Sequence, residues 1–319
     1  MQLTDFVNTL GADLKKRYGE KVHKLTLHGD FSCPNRDGTL GKGGCTFCNV
    51  AAFADEKQAQ QSIQNQLILR AQEVSHKAKK YLAYFQAYTS TYAEIAQLRS
   101  LYEQATANNN IVGICVGTRP DCVSDEVLNL LSDYLQRGYE VWLELGLQSA
   151  NDKTLKRINR GHGFAVYQAV CLKARARGIK VCTHLILGLP NETQCDYQET
   201  LARVIATGVD GLKLHPLHVV RGALMEKSWQ AGRLTTLSLE EYSQAAVDLI
   251  RRTPDNIVFH RISATAKIEQ LLSPLWCEQR WPVQNRMGKL MEQLGGQGTA
   301  LNEPYDKGLT KTNMSLIRQ

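Results

Sequence analysis

The stretch Cys33-Pro-Asn-Arg-Asp-Gly-Thr-Leu-Gly-Lys-Gly-Gly-Cys45-Thr-Phe-Cys48 follows closely on a strand-like run, Val22–Leu27, and sets three thiols in one loop. A structural zinc site is closed by four protein ligands, and no second C-x2-C is present to complete one. Thiolates are the usual ligands of iron–sulfur clusters, and three of them leave one iron of a four-iron cluster open to another ligand. The C-x2-C alone would equally suit a redox pair or half a zinc knuckle. The third thiol and the position after a strand turn the reading towards a cluster on Cys33, Cys45 and Cys48. Glycines at 38, 41, 43 and 44 let the loop wrap closely, since Gly accepts positive φ and close backbone approach. The other six cysteines share no metal-ligand spacing and read as buried apolar thiols.

Outward from this loop, short apolar runs alternate with helical patterns. Strands are expected at Val22–Leu27, Lys80–Gln86, Ile111–Val116, Val141–Leu145, Val181–Leu187 and Gly211–Leu214. Helices are expected at Ser62–Ala78, Tyr92–Asn108, Ser124–Arg137, Phe164–Arg177 and Asn191–Thr207. Six such units predict an α/β fold, a partial (β/α)6 TIM-like barrel whose active-site loops lie at the strand C-termini. The expected division is 1–235, the barrel with an N-terminal helix, and 236–319, a C-terminal α+β extension packed on it. In the extension, a helix is expected at Leu239–Arg252, a strand at Ile257–Ile262, and helical turns at Lys267–Leu272 and Val283–Leu294. The polar end, Asn302–Gln319, is expected to be poorly ordered.

The chain of 319 residues is 43% hydrophobic and 22% charged, enough for a sizeable core. Residues Met1–Tyr18 mix charges with an amphipathic pattern and hold no apolar core of signal-peptide length, and no stretch approaches a membrane span. Nine cysteines without a secretory signal argue for reduced thiols in the cytoplasm rather than a disulfide framework. A formal charge of +7 permits nucleic-acid binding without demanding it.

Four further blocks extend the pattern: Gly117-Thr-Arg-Pro-Asp121, Glu144-Leu-Gly-Leu-Gln-Ser149 with Asn159-Arg-Gly-His162, His184-Leu-Ile-Leu-Gly-Leu-Pro-Asn191, and Leu212 through Gly222. With the cysteine loop, they resemble the radical S-adenosylmethionine (SAM) superfamily over about residues 20–235, in particular the Elongator catalytic-subunit branch and its bacterial YhcC-type subfamily. The resemblance implies a 4Fe-4S cluster and reductive cleavage of SAM to methionine and a 5′-deoxyadenosyl radical that takes hydrogen from a substrate. It places Gln148, Ser149 and Arg160 near the methionine or ribose part of SAM, His184 near the ribose, and Gly188 with Pro190 in the loop flanking adenine. Lys213, His215 and Arg221 would face the substrate. Three departures stand out. Tyr84–Tyr92 replaces the glycine pair that usually meets the SAM amino group, so Gln86, Thr89, Ser90 or Thr91 would substitute. Gly117 stands where relatives often carry a glutamate, and eleven residues separate the first two cysteines, a longer spacing than the commonest one.

The Elongator likeness implies a tRNA wobble-uridine side chain as substrate and an electron donor such as flavodoxin or ferredoxin. Radical modification of a peptide or small metabolite, and a non-catalytic cluster-bearing SAM sensor, are the alternatives. The acetyltransferase domain of the Elongator subunit has no room in residues 236–319, so acetyl-CoA chemistry is not carried over. Trp276 and Trp281, beside Arg261 or Arg280, are expected either to stack a base or to staple the extension to the barrel.

Overall fold

The computed structural model describes residues 3–49 and 61–304. The polar end is outside the described residues from 305 onward. The strands are β1 (Val22–Leu27), β2 (Lys80–Phe85), β3 (Ile111–Thr118), β4 (Glu140–Gln148), β5 (Lys180–Leu187), β6 (Gly211–Pro216), β7 (Val219–Val220), β8 (Val258–Arg261) and β9 (Leu271–Ser273). Seven of them form one curled parallel sheet in the order β1-β2-β3-β4-β5-β6-β8. Helices Ile63–Val74, Ile95–Thr106, Asp125–Gln136, Phe164–Ala176, Gln194–Ala206 and Leu239–Arg251 follow strands or precede the next one, as parallel connections require.

Alternation along each strand sorts side chains to two faces. The outward row, including Leu25, Phe85, Val116, Leu143 and Leu145, packs with Leu67, Leu98, Leu131, Tyr167 and Leu201 of the helices in one large core. The inward row, Val22, Leu82, Tyr84, Cys115, Trp142, Cys182 and Val258, packs on Leu10 and Leu14. The N-terminal helix Leu10–Tyr18 thus plugs the sheet's hollow. It starts at Thr9, whose Oγ1 accepts from the Ala12 N–H at 3.3 Å, and stops at Gly19 with φ 74°. Removing a plug side chain such as the fully buried Leu14 by Leu14→Ala would cost roughly 2–5 kcal/mol.

The barrel sheet has a seventh strand beyond the six expected. Val258–Arg261 pairs in parallel with β6, and its outer edge is covered by the N-terminal segment, where the Phe259 N–H donates to the Asn8 carbonyl at 2.8 Å. The helical turn expected at Lys267–Leu272 is a turn leading into β9, which pairs antiparallel with β7. Pro274 disfavours helix in the residue before it, Leu271 pairs opposite Val220, and Leu272 packs against the main core. Trp276 is fastened within the extension itself: its Nε1 donates to the Leu237 carbonyl at 3.0 Å and its ring lies 5.3 Å from Tyr242. Trp281 is 59% exposed. Among the described residues no helix is long and apolar enough to cross a membrane.

Candidate active site

The cysteine loop leaves the C-terminal end of β1 and closes over the hollow of the sheet. Its turns are pinned from within: the Arg36 and Asp37 N–H groups donate to the Cys33 carbonyl at 2.8 and 3.0 Å, and Gly44 N–H donates to Asn35 at 2.8 Å. The Asn159–His162 block fastens it from outside. Thr46 N–H donates to Ile158 at 3.0 Å, Asn159 Nδ2 donates to Gly44 at 2.8 Å, and Asn35 Nδ2 donates to the Asn159 carbonyl at 2.6 Å. Gly44 is needed here, since at its φ of 80° a Cβ would stand 2.8 Å from Arg36 Nε.

Cys33, Cys45 and Cys48 line one cavity of about 290 Å³. Around Cys45 Sγ stand Arg160 Nη1 at 3.4 Å, Asn35 Nδ2 at 3.6 Å and Arg119 Nη1 at 3.9 Å. Burial pushes the Cys45 thiol up, but Arg160 and Arg119 outweigh it and hold it below its ordinary value. Burial dominates at Cys48 and raises it, against Arg36, which donates to the Cys48 carbonyl. Arg119 is held by both oxygens of Asp121, at 3.0 and 2.8 Å, and donates to the Arg160 carbonyl at 2.6 Å. Arg160 in turn donates to the Gly146 carbonyl, and a Cβ at Gly146 would come within 2.9 Å of its Nη2. The arrangement suits three thiolates with hydrogen-bonded sulfur, the usual means of tuning a cluster.

Beneath the cavity the strands present charges to one another. Glu144 is fully buried on β4. Its Oε1 accepts from Lys24 Nζ at 2.5 Å and lies 3.2 Å from His260 Nδ1; its Oε2 accepts from Lys213 Nζ and lies 2.9 Å from His184 Nε2. Lys213 also donates to the Tyr84 hydroxyl at 2.8 Å. Despite burial, the two lysines hold Glu144 well below the usual carboxylate range. Burial, partly offset by Glu144, pushes Lys213 down to about 8. The sequence reading gave Glu144, Lys24 and His260 no role. Their signal was available, because each is a charged or titratable residue in register with the inward apolar residues Val22, Trp142 and Val258 of its strand.

Of the residues expected to meet SAM, Gln86, Thr89, Gln148, Arg160 and His184 share the cavity with the three cysteines. Gln148 has φ 80°, a left-handed conformation rare outside glycine that re-aims the end of β4. The Thr89 hydroxyl is buried without a hydrogen-bond partner among the described residues. Ser90, Ser149 and Gly188 do not line the cavity. Ser90 Oγ donates to Ala87 at 3.3 Å. Ser149 donates to Glu192 and accepts from the Asn151 N–H. The Gly188 N–H donates to the Tyr197 hydroxyl at 2.9 Å. Lys213 and His215 line the cavity, whereas Arg221 donates to the Glu269 carbonyl at 3.1 Å. Among the other six cysteines, Cys115, Cys171, Cys182 and Cys277 are buried, Cys122 is half-buried and Cys195 is exposed.

The donor set discriminates between metals. A single tetrahedral zinc with Zn–S near 2.3 Å holds its sulfurs about 3.8 Å apart. Among the described residues, the only three-ligand set with all donor atoms within 4.8 Å of one another is Glu144, Cys182 and His184, so the loop cysteines are spread more widely. Three spread sulfurs ringed by arginines fit a polynuclear thiolate cluster. The Glu144 set is already occupied by two lysines and is not a cation site.

Comparison with known proteins agrees. The radical SAM superfamily model matches residues 38–204, and the radical SAM C-terminal domain model matches 209–293. Protein YhcC of Escherichia coli K12 is 60% identical over 305 residues, covering 96% of this chain and 98% of that one. A tRNA uridine(34) acetyltransferase of Dehalococcoides mccartyi is 36% identical over 136 residues, 41% of this chain and 28% of that one. The solved structure of the archaeal Methanocaldococcus infernus Elp3 has a TM-score of 0.63 at 18% identity, covering 86% of this chain and 63% of that one. The likeness to that structure is one of fold. The chain belongs to the radical SAM superfamily, enzymes whose cofactors are a 4Fe-4S cluster and S-adenosylmethionine.

Proposed function

We propose that this protein performs radical hydrogen abstraction on a uridine side chain at the wobble position of tRNA, in the cytoplasm, with a reduced flavodoxin or ferredoxin as electron donor. The observation that carries the reading is the meeting of two spaces. The cysteine-lined cavity shares Gln86, Arg261, Ala264 and Thr265 with a broad cleft of about 1340 Å³, whose walls include Lys267, Arg280, Trp281 and Lys289. Basic groups suit phosphates and an exposed aromatic ring suits an unpaired base. Arg280 lies 4.4 Å over the Trp281 ring, which holds that ring in place for stacking. The partial relative named for tRNA uridine 34 supports the same substrate class.

Cys33, Cys45 and Cys48 would hold the cluster. When bound, the cluster and SAM supply the electron and the 5′-deoxyadenosyl group needed to abstract hydrogen. The chain's own residues shape what happens around that chemistry. Arg119 and Arg160 stabilise the thiolate at Cys45. Gln86, Thr89, Gln148, Arg160 and His184 would orient SAM, and the orphaned Thr89 hydroxyl offers it a hydrogen bond. Ser90 and Ser149 would act on SAM only by fixing the backbone next to Thr89 and Gln148, and Gly188 only by tying the end of β5 to Tyr197. The inward apolar plug under Trp142 closes the far end of the hollow to water.

The test compares modified nucleosides in tRNA from cells with and without the gene, followed by SAM-dependent conversion of the deficient tRNA by anaerobically reconstituted protein. Loss of one wobble-uridine modification and its restoration are expected. Identical nucleoside profiles would move the substrate to a peptide or a metabolite.

A further inference from the structure

The cavity wall built by β5, β6 and β8 carries more positive charge than it can use internally. Lys24, Lys213 and Arg261 stand on or behind it against the single carboxylate of Glu144, an excess of two positive charges. The histidines add no charge of their own, since burial pushes His184 to about 4 and His260 to about 3, and His215 well below its ordinary value, which keeps all three neutral. Lys24 and Lys213 are tied to Glu144. Arg261 makes no hydrogen bond or ion pair with any described residue, yet it lines both the cavity and the cleft.

Its position is built into the strand. The register between β6 and β8 slips by one, from Leu212 opposite Phe259 to Lys213 opposite Arg261. This β-bulge lets His260 and Arg261, consecutive residues, both serve the inner face: His260 reaches Glu144 and Arg261 lines the cavity. Without it, alternation would turn Arg261 outward with Phe259. Two residues beyond Lys213 on the same face, His215 Nε2 is buried with no hydrogen-bond partner among the described residues. An unpaired guanidinium, a buried ammonium and an orphaned imidazole nitrogen thus face the same cavity, with Arg261 at its border with the cleft. Such a set lacks only an oxyanion, for which a guanidinium fork is shaped.

We propose that Arg261, Lys213 and His215 form an anion subsite that holds a carboxylate or phosphate group of the substrate, so that the enzyme selects substrates carrying negative charge close to the atom attacked. The inference rests on the reading of this cavity as the place where substrate meets SAM. It adds a requirement that the reading alone does not contain, namely an anionic group that enters the cavity itself.

The test is isothermal titration calorimetry on anaerobically reconstituted holoprotein with SAM present, at constant ionic strength. Acetate and inorganic phosphate are the probes and acetamide is the uncharged control. Wild type should bind one equivalent of acetate or phosphate, and the better of the two tells which oxyanion the subsite fits. Arg261→Gln should weaken that binding at least tenfold, and Arg99→Gln, which removes one positive charge from an outer helix, should not. Arg261 has no described partner to lose, and thermal unfolding confirms the fold; should Arg261→Gln misfold, His215→Phe decides by the same criterion. Equal affinity in wild type and variant, equal binding of acetamide, or no saturable anion uptake by wild type would overturn the subsite. So would uptake that SAM itself abolishes, because SAM's own carboxylate would then own the position. SAM binding and 5′-deoxyadenosine formation by the same wild-type sample separate the two levels. Their absence removes the functional reading, whereas their presence with unselective anion uptake removes the subsite alone.

Discussion

Glu144→Gln keeps the shape of the side chain and deletes the charge that four groups share. In the wild type one oxygen serves Lys24 and His260, and the other serves Lys213 and His184. A Gln amide has one carbonyl, so its NH2 must face one of the two lysines, donor against donor. Both ammonium groups stay in the interior with one neutral acceptor between them, and removing a partner from a buried ion pair costs roughly 3–5 kcal/mol. The cost depends on pH. Burial holds Lys213 at about 8 even with Glu144 beside it, and without the carboxylate it falls further. The folded variant then releases a proton that the unfolded lysine, with its ordinary value of 10.5, retains. Stability therefore rises with pH between the two values, and the deficit against wild type narrows as pH climbs towards 8. Urea unfolding followed by tryptophan fluorescence, at about pH 6 and about pH 8, reads both the size and the slope. A deficit below about 1 kcal/mol near neutrality, or one that widens with rising pH, refutes the account of Glu144 as the hub of the interior.

Alanine at Cys33, Cys45 or Cys48 should abolish iron binding in anaerobically reconstituted protein while circular dichroism stays unchanged; full iron content in any of the three would contradict the ligand set. Arg160→Ala should weaken SAM binding by roughly 1.5–3 kcal/mol, the worth of a charged hydrogen bond, with the cluster retained, and equilibrium dialysis of SAM decides it. Burial pushes Glu192 up to about 7 from 4.5. A raised carboxyl favours the folded state below its unfolded value and loses that contribution as pH rises through its folded one, so stability should fall between those values. Thermal unfolding across that range should show a flatter slope in Glu192→Gln, and an unaltered slope would count against the burial argument. Trp276→Ala should destabilise the protein by about 3 kcal/mol through loss of its packing on Tyr242, whereas Trp281→Ala should change stability by less than about 0.5 kcal/mol.

The barrel was legible in the sequence because parallel strands buried on both faces read as apolar runs, and β1 through β6 match the expected runs to within about three residues at each end. The seventh strand, Val258–Arg261, was read as a strand, but a local pattern does not reveal that its partner is β6, some forty residues earlier. The cysteine loop stood out by its third thiol and its place after β1, together with the later motifs. Which neighbours turn inward was not legible. Ser149 and Gln148 are adjacent in one motif, yet the positive φ of Gln148 sends one into the cavity and leaves the other on Glu192. Arg261 was beyond pattern reading for the same reason, because a one-residue bulge reverses its face.

The most direct test of the central claim is 5′-deoxyadenosine formation by anaerobically reconstituted protein given SAM and a low-potential reductant. The account predicts 5′-deoxyadenosine and methionine from the wild type and none from a Cys33→Ala, Cys45→Ala, Cys48→Ala triple variant that remains folded. A fully loaded wild-type protein that binds SAM but leaves it intact, both alone and with tRNA lacking the modification, would contradict it.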